Sequence, residues 1–101
     1  MLAIFSTFPV GKSESLAKDV AEIIKLIDES GLDYQTTAMG TLVEGEWDEV
    51  MGLIKKCHQT MRGSSTRVNT KISIDDREGA TGRIKGKIAD VEKHLGREVQ
   101  K

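Results

Sequence analysis

The sequence predicts an α+β domain of the ferredoxin-like βαββαβ type with an additional C-terminal helix, one unit over residues 1–101. Three observations carry that prediction. Segments rich in β-branched or alternating residues are interleaved with segments whose apolar residues recur every three or four positions. Glycines stand at the junctions. A chain of 101 residues has room for a single hydrophobic core, which excludes two domains. The order has one common compact solution, a four-stranded antiparallel sheet with both long helices on one face and right-handed crossovers.

The elements follow in turn. Leu2 to Val10 is β-branched and aromatic and holds Pro9, which has no amide hydrogen to give a sheet and belongs near a strand end. Gly11 breaks the chain, Ser13 is placed to cap a helix, and Leu16, Val20, Ile23, Ile24 and Ile27 form one helical stripe that Gly31 terminates. Asp33 to Thr37 favours extended structure, and Ala38, Met39 and Gly40 turn the chain into Thr41 to Glu44, a hairpin ending at Gly45. Trp47, Val50, Met51, Ile54, Cys57 and Met61 form a second stripe, with Asp48 and Glu49 complementing the helix dipole in its first turn. A polar loop is expected at Gly63 to Thr66. Arg67 to Asp76 then alternates, with Val68, Thr70, Ile72 and Ile74 on one face and Asn69, Lys71, Ser73 and Asp75 on the other. After Gly79 to Gly82, Ile84, Ile88, Val91 and Leu95 predict a third amphipathic helix.

Composition narrows the function. Fifteen basic and sixteen acidic residues leave a net charge of -1, so no global field draws in nucleic acid or an anionic membrane. An RNA-reading version of this element order needs aromatic platforms on its central strands, and the four aromatics Phe5, Phe8, Tyr34 and Trp47 do not supply them. No apolar run reaches the roughly 18 residues of a membrane span. One cysteine, Cys57, allows no internal disulfide, and no signal-peptide pattern opens the chain, so the expected compartment is the cytoplasm. The first strand offers Ile4 and Phe8 to one sheet face and Ala3 and Phe5 to the other. An apolar sheet face on so small a domain predicts a homo-oligomer built on it, with the third helix on its own sheet or over a neighbour.

The reactive motifs mostly dissolve on inspection. Gly11-Lys12-Ser13 resembles the end of a phosphate-binding loop, but the full pattern needs a glycine where Ser6 stands. Cys57 and His58 diverge by about 100° on a helix and cannot chelate one ion. His94 belongs on a charged helix face, and neither histidine is placed as a general base, so an enzyme of the small ferredoxin-like barrel kind is disfavoured. Asp75-Asp76-Arg77 fits ion pairing and a turn as well as ligand binding.

Three segments carry a resemblance: Thr7-Phe8-Pro9-Val10-Gly11, Met39-Gly40-Thr41-Leu42-Val43-Glu44-Gly45, and Lys71-Ile72-Ser73-Ile74-Asp75-Asp76-Arg77. Over nearly its whole length the chain resembles the small thiamine-binding protein family, relatives of the tandem-domain YkoF proteins. The resemblance implies a ferredoxin-like fold, no enzymatic activity, a dimer of dimers, and thiamine or its hydroxymethylpyrimidine moiety as the ligand, with no other cofactor and no metal. It points to the hairpin as the site. There Glu44 would accept from the exocyclic amine or balance the cation, Thr41 and Thr37 would bond ring nitrogens, Gly40 would let backbone approach, and Met39 would line the wall. Phe8 stands where many relatives carry an aliphatic residue and bears on the shape of the pocket. Read without the resemblance, Thr37 and Thr41 are equally ordinary strand residues, Gly40 a turn residue and Glu44 an exposed charge. A regulatory module of the amino-acid-sensing type, built on the same element order, is the competing function.

Overall fold

A computed structural model describes residues 1–11 and 17–100. Along the chain come β1 (Leu2–Pro9), α1 (Ala17–Glu29), β2 (Asp33–Thr37), β3 (Gly40–Glu44), α2 (Trp47–Ser64), β4 (Val68–Asp75) and α3 (Arg83–Leu95). The expected cap at Ser13, the stripe position Leu16 and the Lys12-Ser13 part of the phosphate-loop comparison lie outside the described residues.

The strands form one antiparallel sheet in the order β2-β3-β1-β4, an arrangement consistent with the ferredoxin-like fold. Register fixes which side chains share a face, because directly paired residues point the same way. Ala3 lies opposite Val43 and Ile74, and Phe5 opposite Thr41 and Ile72. This is the face that α1 and α2 cover: Ala3, Phe5 and Val43 pack with Ile23 and Ile27 of α1 and with Val50, Leu53, Ile54, Cys57 and Met61 of α2. Cys57 is wholly buried there, and burial pushes its thiol up to about 11.

One boundary and one pattern of burial differ from expectation. The second helix does not stop at Gly63 but runs through Ser64. Its last turn is satisfied locally, the Ser64 hydroxyl donating to the Met61 carbonyl at 3.2 Å and the Arg62 guanidinium to that of Ser65 at 2.9 Å. Trp47, assigned by its spacing to the apolar stripe, is exposed, and Leu53 is buried in addition to the stripe residues.

α3 lies on the opposite face of the sheet, over β3 and β2. Its first half packs on its own chain, with Ile84 buried, whereas Val91 and Leu95 remain 53% and 49% exposed. Asp75 pairs with Lys87, and Arg83 with Asp90 at 3.0 Å. Among the described residues no helix is long and apolar enough to cross a membrane.

Candidate functional site

The ladders on the two sides of β1 are unequal. With β4 it pairs from Leu2 to Pro9, but with β3 only from Leu2 to Phe5. From Ser6 onward one edge of β1 pairs with no strand among the described residues, and a hollow of about 440 Å³ opens beside it, bounded by the β2–β3 turn and by α1. That volume falls within the roughly 300–1,000 Å³ of small-ligand pockets.

The turn that shapes its rim is built by Thr37. Its hydroxyl donates to the Gly40 carbonyl at 2.7 Å and accepts from the Met39 amide at 3.2 Å, closing a connection of only Ala38 and Met39. Gly40 is required for close approach: a Cβ there would lie 2.9 Å from the Phe5 carbonyl oxygen and 3.2 Å from the Ile4 side chain. Val20, Ile23 and Ile24 of α1 make an apolar wall, and Val20 is exposed because it faces the hollow rather than the core.

Five residues singled out from the sequence, Phe8, Thr37, Met39, Gly40 and Thr41, line this hollow. Thr41 is buried beside Phe5 in the sheet, and Met39 stands at the exposed rim. The sixth, Glu44, is elsewhere. It is only 8% exposed, it shares the opposite sheet face with Leu2, and its carboxylate is taken up by the start of α3. Oε1 accepts from the Arg83 amide at 2.8 Å and from the Ile84 amide at 3.3 Å, and Oε2 accepts from Arg83 at 3.0 Å. A carboxylate spent on the amides of a helix N-terminus holds that helix in place.

The hollow also draws in residues the sequence reading left aside. Ser6 and Thr7 bring hydroxyls from β1, and Lys71, paired with Ser6 across the ladder, brings the one charged side chain among the described lining residues. Behind Thr7 runs a chain of polar groups: the Thr70 hydroxyl donates to Thr7 Oγ1 at 2.8 Å, and His58 Nδ1 of α2 lies 2.7 Å from Thr70 Oγ1. The usable signal for Thr7 was its place in the Thr7-to-Gly11 segment. For His58 there was none, because only the β1–β4 register puts Thr70 between the two.

The model of a family described as thiamine-binding protein matches residues 3–92. A UPF0045 protein of Mycobacterium bovis is 37% identical over 96 residues, covering 94% of each chain. The crystal structure of the protein MJ1052 of Methanocaldococcus jannaschii superposes with a TM-score of 0.81 at 32% identity, over 89% of this chain and 93% of the other. A Thermotoga maritima protein described as a candidate for thiamine biosynthesis or salvage superposes with a TM-score of 0.78 at 22% identity, over 89% and 96%, a likeness of fold.

Proposed function

The chain belongs to the thiamine-binding protein family, and from that premise we propose that it binds thiamine, or preferentially the hydroxymethylpyrimidine half of it, in the hollow beside β1. One observation carries the preference. The described lining combines an apolar wall and hydroxyls with the cation Lys71 and with no carboxylate. A flat, neutral aminopyrimidine suits such a surface, since it stacks on apolar side chains and exchanges hydrogen bonds with hydroxyls and main-chain groups. The cationic thiazolium ring of intact thiamine would face Lys71, with no carboxylate among the described lining residues to offset it.

In this reading Phe8, Met39 and Thr41 supply contact surface, Gly40 admits the ligand close to backbone, and Thr37 holds the rim. Glu44 is not part of the site, because its charge is engaged by α3. We take binding rather than catalysis as its activity, a reading that the family's description as a binding protein supports. The protein acts as a cytoplasmic homo-oligomer, a dimer of dimers. Support comes from apolar side chains its own fold leaves uncovered, Val91 and Leu95 on α3 and Ile72 and Ile74 on β4.

Titration calorimetry with hydroxymethylpyrimidine and with thiamine tests the proposal. Saturable heat is expected with both, and tighter binding with the pyrimidine alone. A flat signal with both up to millimolar concentration overturns the reading. Sedimentation at micromolar concentration addresses the assembly, and a monomer there removes that part of it.

A further inference from the structure

We infer that Thr7 is the hydrogen-bond donor by which the hollow recognises a ring nitrogen of its ligand, and that His58 is a positioning residue which orients Thr7 through Thr70. The inference rests on the binding reading above and assigns two residues that reading does not use.

Thr70 carries a single hydroxyl proton, and we assign it to the 2.8 Å contact with Thr7 Oγ1. It therefore has only lone pairs for His58, and the 2.7 Å contact is made by an Nδ1–H that donates to Thr70 Oγ1. Thr7 accepts from behind, so its own proton is free to point forward. It lines the hollow, and among the described residues its hydroxyl donates to no protein acceptor. The row runs from ring to hydroxyl to hydroxyl, and each bond polarises the next. Both threonines sit on paired strands and, being β-branched, have few side-chain rotamers, so the orientation is fixed before a ligand arrives.

A preset outward donor selects a ligand with a lone pair at that point. Aromatic ring nitrogens of an aminopyrimidine provide one, whereas a carbocyclic ring of the same shape does not. A ligand lacking the acceptor would leave the Thr7 proton unpaired in a partly buried place.

Calorimetry with hydroxymethylpyrimidine on four variants decides the matter. Thr7→Val should weaken binding about five- to tenfold, the usual worth of one hydrogen bond, and Thr7→Ser should restore it to within about twofold. His58→Leu should also weaken binding, and in a Thr7→Val background it should cost nothing further, because the two losses are one loss. Independent of any ligand, nitrogen-15 spectra of the free protein should show the His58 proton on Nδ1.

Wild-type-like binding by Thr7→Val overturns the role of Thr7. Additive losses, or a bare Nδ1, overturn that of His58. Should His58→Leu not fold, the Thr7→Val and Thr7→Ser pair and the nitrogen spectra still decide. Absence of binding by the wild type overturns the proposed function and this inference with it, whereas a wild type that binds beside an unaffected Thr7→Val overturns this inference alone.

Discussion

Replacing Glu44 by alanine should unfasten α3 without emptying the hollow. The carboxylate accepts from two amides of the first turn of α3, those of Arg83 and Ile84, in three contacts of 2.8 to 3.3 Å. Losing a side-chain acceptor at a helix start costs about 1 kcal/mol, and losing a negative charge beside the positive end of the helix dipole costs roughly 0.3–1 kcal/mol more. Partial release of Ile84, which is buried against the sheet, adds to this and brings the expected loss to about 2 kcal/mol. In a domain of this size that lowers the melting temperature by about 8–15 °C. Thermal circular dichroism would measure the shift, and hydrogen exchange should show the Arg83 and Ile84 amides losing protection ahead of the core. Glu44→Gln, which keeps one acceptor, should fall between. Affinity for hydroxymethylpyrimidine should stay within about twofold of wild type, less than the usual worth of one hydrogen bond, since Glu44 does not line the hollow. An unchanged melt with unchanged exchange refutes the tether. A folded Glu44→Ala that no longer binds ligand refutes the separation of tether and site.

Gly40→Ala should cost about 1–3 kcal/mol of stability and weaken ligand binding, because the new Cβ meets the Phe5 carbonyl oxygen at 2.9 Å and must push β3 away from β1; urea unfolding and calorimetry would read both. The Cys57 thiol, pushed from 9.0 to about 11 by burial, should react with a disulfide reagent at pH 8 at least about a hundredfold more slowly in the native than in the urea-unfolded protein. Because that pKa is raised on folding, its contribution is full below pH 9 and is lost between 9 and about 11, so native stability should fall across that interval and Cys57→Ala should flatten the fall. The Lys87 ammonium holds the Asp75 carboxyl below its ordinary 3.8, so this stabilisation is present above that pH and lost as acid titrates the folded form. Asp75→Asn should therefore make stability fall less steeply below pH 4 in urea melts, by a small amount, since the pair is exposed.

Local patterns announced most of the fold. The alternation in 67–76 and the three- and four-residue spacings of 20–27, 50–61 and 84–95 depend on nothing beyond the segment itself, and β1, β2, α2, β4 and α3 stand within a residue or two of where those patterns put them. Burial was less legible, since it depends on what lies across from a side chain. Ile72 and Ile74 are on the helix-covered face by register, yet they are 41% and 38% exposed, because α2 covers β1 and only part of β4. Glu44 shows the same limit. Its chemistry suggested a ligand group, and only the return of the chain to the far side of the sheet 39 residues later reveals the amides it meets. The hollow itself follows from a mismatch between two ladders, a property of pairing that no single segment contains.

That mismatch sets how durable recognition at this place can be. Beyond Phe5, one margin of a central strand pairs with no strand among the described residues, and main-chain groups face it from every second residue, about 6.7 Å apart. An amide or carbonyl is the same whatever amino acid bears it, so contacts made to that margin survive substitution of Ser6, Thr7 or Phe8 and yield only to proline or to an insertion that shifts the pleat. Proteins built to this plan can change most of their side chains and still present a flat molecule with an identical row of donors and acceptors, while neighbouring residues such as Lys71 tune which molecule is preferred.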